Sequence, residues 1–174
     1  DGSHVAIGAY YNDGGGSNAG HVRIYEYSSG SWSKVGNDID GDASSDRAGT
    51  SVSIDSDGSH VAIGAPNNDG GGSNAGHVRI YSWDGSAWSK VGSDIDGEAA
   101  DDYSGRSVSM DSDGSHVAIG AYANDGNGSN AGHVRIYSWD GSAWSQVGSD
   151  IDGEAASDYS GLSVSIDSDG SHVA

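Results

Sequence analysis

The residues in this chain best suited to chemistry are carboxylates, and they come in matched sets. Asp38-Ile39-Asp40-Gly41-Asp42, Asp94-Ile95-Asp96-Gly97-Glu98 and Asp150-Ile151-Asp152-Gly153-Glu154 each gather three acids around one glycine. A further acid stands four residues beyond each set, at Asp46, Asp102 and Asp158. Acids at relative positions 1, 3, 5 and 9 of a loop can converge on a hard cation. Ca2+ takes about 6–8 oxygens and tolerates irregular loops. The spacing is not that of an EF-hand, whose glycine is sixth in its loop. All twelve acids are thus candidate Ca2+ ligands. The same segments also read as solvated acidic turns, each anchored by its isoleucine, and the sequence leaves both readings open.

Other reactive types are less informative. Trp83 with Trp88, Trp139 with Trp144, and Trp32 with Tyr27 flank short turns, where flat rings can stack on sugars or fill the space between packed sheets. Seven histidines invite a transition-metal reading. Pairing the strands described below puts His60 near Tyr81 and His77 near Gly64, at opposite ends of one ladder, so two histidines of one unit cannot share an ion. Asn127-Gly128-Ser129 is the one N-glycosylation triplet. There is no cysteine, and no Gly-x-Ser-x-Gly on a strand-to-helix turn, so no catalytic nucleophile is singled out and an enzyme is not expected. The glycine-rich loops at 12–20, 68–76 and 124–132 lack the Gly-Lys-Ser/Thr of a phosphate cradle.

What positions these residues is a repeat. Residues 1–56, 57–112 and 113–168 align without a gap, and 169–174 begin the block again with Asp-Gly-Ser-His-Val-Ala. The first two copies agree at 40 of 56 positions and the last two at 49, so one supersecondary unit is used three times, each packing on the next. The differences look scattered, as at Arg106/Leu162 and Lys90/Gln146, which speaks against one specialised copy.

Within a unit the pattern is β throughout. Ser51–Ile54 alternates polar and apolar, Asp55–Gly58 makes a tight turn, and His60–Ala65 is a second strand with Val61 and Ile63 on one face. The run 67–76 is a loop. His77–Trp83 is a third strand, Asp84-Gly85 a hairpin turn, and Ser86–Val91 a fourth strand. The acidic segment then leads to the next unit. Glycine and serine interrupt every helical period. The expected fold class is all-β, with tandem four-stranded antiparallel blades of the β-propeller type, as an open array or part of a larger ring.

The residues that end these strands resemble the FG-GAP repeat family. The resemblance rests on Gly105-Arg106-Ser107-Val108-Ser109-Met110, then His116–Ala121, then Gly132-His133-Val134-Arg135-Ile136-Tyr137. Only the second copy keeps Gly64-Ala65-Pro66, with Tyr10 and Tyr122 replacing the proline elsewhere. The Phe-Gly position reads Ala48-Gly49, Ser104-Gly105 and Ser160-Gly161. The resemblance implies propeller blades of the kind seen in integrin α subunits and bacterial surface proteins, with adhesion or surface display as the associated role. It also implies a calcium loop between the first and second strands, but here that place holds only the four-residue turns at Asp55–Gly58, Asp111–Gly114 and Asp167–Gly170, too short to wrap an ion.

Composition bounds the partners. Seven basic residues against 26 acidic give a formal charge of −19, which repels a phosphate backbone and excludes nucleic acid as an expected partner. No apolar run approaches the ~20 residues that span a bilayer, so no membrane insertion is expected. The acidity fits an extracellular or cell-surface setting, with glycans or surface proteins as further partners. The rival to a structural or adhesive role is a calcium-dependent, lectin-like propeller that binds glycans through the repeated aromatics and acidic turns. The chain opens in mid-repeat and reads as a mature product or an excerpt of a longer array. Propeller rings have about four to eight blades. Three blades leave a gap, so the expected partners are copies of itself, two chains closing a six-bladed ring or many continuing as a filament.

Overall fold

The computed structural model describes residues 2–174, and among them every regular element is a β-strand. The first sheet contains β1 (His4–Ala9), β2 (His21–Ser28), β3 (Ser31–Lys34) and β4 (Ile39–Asp40). The second contains β5 (Ser51–Ile54), β6 (His60–Ala65), β7 (His77–Trp83), β8 (Trp88–Lys90) and β9 (Ile95–Asp96). The third repeats it with β10 (Ser107–Met110), β11 (His116–Ala121), β12 (His133–Trp139), β13 (Trp144–Gln146) and β14 (Ile151–Asp152). Among the described residues all strand pairs are antiparallel, and no sheet closes into a barrel. The all-β blade array expected from the sequence is what the chain forms.

Three local features differ from the expectation. The register of β6 on β7 is one residue away from that anticipated: His60 faces Ser82, and His77 faces Ala65. The two histidines still lie at opposite ends of the ladder. The Asp84-Gly85 hairpin is a four-residue loop, because Asp84 Oδ1 accepts the amides of Ser86 at 2.7 Å and Ala87 at 2.8 Å and so caps the turn. The acidic segment, expected to be only a linker, re-enters the sheet: β9 pairs with the first residues of β7, on the side where β8 pairs with its last. The fourth strand is thus split by a bulge at 91–94, and its second half lies on the acids.

The core lies between blades. One cluster joins Val22, Ile24 and Ile39 of the first sheet to Val61, Ile63 and Ala65 of the second, with Trp88 packed on it. Its equivalent joins Ala62, Val78, Ile80 and Ile95 of the second sheet to Val108, Met110, Val117 and Ile119 of the third, with Trp144 packed on it. Alternation along β6 therefore sends Val61 and Ile63 to the preceding blade and Ala62 to the following one, so a central strand is buried on both faces. Small residues allow the close approach: a Cβ on Gly64 would lie 2.0 Å from the carbonyl oxygen of Gly105. A third cluster covers part of the last blade with Val164, Ile166 and Val173. These belong to a short hairpin in which Ile166 bridges Val173, the opening of a fourth blade.

Candidate functional site

Each acidic segment sits where one blade hands the chain to the next, and its four carboxylates go to different places. The first stays within its own blade. Asp94 takes Arg79 at 2.7 Å on Oδ2 and Lys90 at 2.7 Å on Oδ1; Asp38 does the same with Arg23 at 2.8 Å and Lys34 at 2.7 Å. Burial pushes Asp94 up, but the bonds from Arg79 and Lys90 outweigh it and hold the carboxyl at about 2. In the third copy Gln146 replaces the lysine and donates its amide to Asp150 at 2.6 Å.

The third acid reaches across to the next blade: Asp42 pairs with Arg79 at 2.5 Å, and Glu98 with Arg135 at 3.2 Å. The fourth is buried in the first two copies. Asp46 accepts the side-chain amide of Asn68, and Asp102 that of Asn124, each at 2.9 Å and each from the following blade. Asp102 also accepts its own loop's Ala99 amide at 3.0 Å. Asp40, Asp96 and Asp152 end the split strand on an exposed edge. The four acids of one segment do not meet at a point. The third and fourth acids of the first two segments tie one blade to the next.

Histidines approach the first and second acids. His77 Nδ1 lies 3.8 Å from Asp94 and 4.0 Å from Asp96, and His21 Nδ1 3.6 Å from Asp38 and 3.8 Å from Asp40. His77, Asp94 and Asp96 form one group able to hold a metal ion; Glu98, His133 and Asp150 form a second, bridging two blades; Asp167, Asp169 and His172 form a third. His133 is buried, and its Nε2 has no hydrogen-bond partner among the described residues. Burial first, then the neighbouring arginine, lowers both His77 and His133, keeping these imidazoles neutral. A set with an imidazole suits zinc-like ions better than Ca2+, which prefers oxygen alone. In the first group any ion must also compete with the Arg79 guanidinium on Asp94.

The tryptophans divide by position. Trp88 Nε1 donates to the Val35 carbonyl and Trp144 Nε1 to that of Val91, both at 3.0 Å and both across a blade junction. Trp83 and Trp139 pack on these rings at 5.4 Å, and Gly36 and Gly92 of the preceding blades lie against the pairs. Trp32, in the first blade, is 49% exposed. The Asn127 side chain donates to the Gly153 carbonyl at 2.8 Å, so its amide is engaged.

A feature the sequence reading passed over is a cleft of about 450 Å3 whose lining comes from all three copies: Tyr10, Tyr11, Arg47, Thr50, Pro66, Asn67, Tyr103, Arg106 and Tyr122. Tyr103 and Tyr122 stack at 5.7 Å, and Arg47 lies over the Tyr11 ring at 5.4 Å. The available signal was four of the repeat positions that differ between copies, 10, 11, 47 and 50, which lie apart along the chain and meet at this cleft.

The strand ends that carry the blade pattern decide the family likeness. Residues 94–137 match the FG-GAP repeat. The FG-GAP stretch begins at the acidic segment, includes β10 and β11 and ends in β12, and the corresponding residues 38–81 of the preceding copy run from β4 through β5 and β6 into β7. No curated protein matches the sequence. Among solved structures, a protein of Bacteroides uniformis ATCC 8492 described as a candidate 6-phosphogluconolactonase is similar at a TM-score of 0.55 and 10% identity, over 88% of this chain and 40% of that one. That likeness is one of fold and carries no reaction to this chain. No helix among the described residues is long and apolar enough to cross a membrane.

Proposed function

We propose that this chain is a structural module of an extracellular or cell-surface assembly, stacking blade on blade with further copies of itself to build a ring or filament. One observation carries the reading: its two end faces are the two halves of its own internal junction. On the first blade Val5, Ile7, Tyr25 and Trp32 line an open apolar cleft of about 290 Å3. These are the positions that Val61, Ile63, Tyr81 and Trp88 fill when covered, and Ile7 is 50% exposed where Ile63 is 4%. On the last blade Val147 and Ile151 are each 46% exposed, whereas Ile95, the counterpart of Ile151, is 5% exposed.

The polar halves match as well. In the proposed junction Trp32 donates to the Val147 carbonyl, Arg23 meets Glu154, and Asn12 meets Asp158, repeating the Trp88–Val35, Arg79–Asp42 and Asn68–Asp46 contacts. The incoming β1 takes the place of Ser171–Ala174 beside Val164–Ile166, an exchange between identical sequences, since 1–6 and 169–174 are both Asp-Gly-Ser-His-Val-Ala.

The competing reading, a calcium-dependent lectin using the tryptophans, is less well supported, because Trp88 and Trp144 are engaged between blades and Asp38 and Asp94 are held by basic side chains. Sedimentation velocity and negative-stain imaging test the proposal. Mass should grow with concentration, and Ile7→Asp, a change at a half-exposed site, should leave single chains. Single chains at high micromolar concentration, or growth untouched by Ile7→Asp, would overturn it.

A further inference from the structure

We propose that the cleft lined by Tyr10, Tyr11, Arg47, Tyr103, Arg106 and Tyr122 binds a carboxylated sugar, the acid at the two guanidiniums and the ring against the tyrosines. Three independent observations converge on it.

The first is charge. Of the seven basic side chains, Arg23, Lys34, Arg79, Lys90 and Arg135 are ion-paired. Among the described residues Arg47 and Arg106 have no carboxylate partner, and both line this cleft. In a chain of 26 acids, two unneutralised guanidiniums in one cleft form a local anion site in an otherwise repelling surface. A guanidinium takes a carboxylate through two parallel hydrogen bonds.

The second is variation. A strict repeat keeps what the scaffold requires, so positions at which its copies differ are ones the shared scaffold does not fix. Position 10 reads Tyr10, Pro66, Tyr122; position 11 reads Tyr11, Asn67, Ala123; position 47 reads Arg47, Tyr103, Tyr159; position 50 reads Thr50, Arg106, Leu162. Three of the seven differences between the second and third copies fall at these four positions. Nine of these twelve residues line the cleft, the third copy contributing Tyr122 alone.

The third is shape. The cleft's volume of about 450 Å3 lies within the ~300–1,000 Å3 of small-ligand sites. Its walls are tyrosine rings and polar groups, with Tyr103 stacked on Tyr122 and Tyr159 beyond at 6.1 Å. Such a shelf offers flat faces to the C–H side of a pyranose and hydroxyls to its rim. A wholly apolar ligand would leave the two arginines unanswered.

Titration calorimetry on the full chain tests this with oligogalacturonate, oligoglucuronate and a sialylated trisaccharide, each beside a neutral counterpart lacking the acid, and with a Glu-rich peptide. Binding is expected for at least one acidic sugar and not for its neutral counterpart, and the arms identify which acid. Arg106→Leu, which installs the residue of the third copy, should weaken binding at least about tenfold, as loss of a charge-assisted pair does. Arg47→Lys should weaken it less, since the charge survives and the two-pronged geometry does not. Melting temperature and assembly should be unchanged in both variants, which separates this site from the blade junction. Equal binding of neutral sugars, binding of the peptide alone, no binding at all, or an unaffected Arg106→Leu would each overturn the proposal.

Discussion

At the scale of single residues, the histidines set opposing pH dependences. His60 Nδ1 lies 2.8 Å from Asp55 Oδ2, and that bond holds the imidazole protonated above its ordinary range, against the opposing effect of burial. Its contribution to stability is complete below the ordinary imidazole value of about 6.5 and is lost as pH rises through the raised folded value. His77 runs the other way. Burial, then Arg79, lowers it, so the unfolded chain takes up the proton first and stability falls as pH drops below about 6.5. Thermal melts across pH 5–9 should therefore show a shallower alkaline-side decline in His60→Gln and a shallower acid-side decline in His77→Asn, where His133 still contributes. A profile unchanged in both variants would exclude these groups as the source. The acids answer a second experiment. Because Asp38, Asp42, Asp94 and Glu98 are satisfied by basic side chains, melting temperature should be the same in chelator and in millimolar Ca2+, and a rise of several degrees would restore the calcium reading. The acids were easy to find in the sequence. Their destinations were not, because Arg79 and Arg135 reach them from another blade, and sequence spacing does not encode a contact between repeats.

At the scale of elements, the strands were legible and the joints were not. Alternating Val and Ile between glycine-rich turns locate β5, β6 and β7 to the residue. Ile95-Asp96 is too short to carry a periodicity, and only its pairing with β7 reveals the second half of a strand. The blade junction should be the weak point of the fold. Trp88→Ala removes a packed indole and its bond to Val35, and should cost about 3 kcal/mol in denaturant titrations. Trp32→Ala, on the open face, should stay within about 0.5 kcal/mol in the single chain. Gly64→Ala forces a methyl toward the Gly105 carbonyl and should cost about 1–3 kcal/mol. Equal losses from the two tryptophans would refute the assignment of Trp88 to the junction.

At the scale of the whole molecule, charge and stacking oppose each other. A formal charge of −19 on every copy makes like chains repel, and the repulsion reaches about 30 Å at 0.01 M salt but only about 10 Å at 0.1 M. Assembly through the apolar end faces should therefore strengthen over that range, as followed by light scattering, and weakening would assign the contact to ion pairs instead. One further trait shapes any such growth. Along the inner turns Ser56 donates its amide and hydroxyl to the Ser112 carbonyl, and Ser112 donates both to Ser168. Every donor in that line points the same way. A fibre made from it has a head chemically unlike its tail, so newcomers should join the two tips at unequal speeds and a labelled seed should elongate lopsidedly.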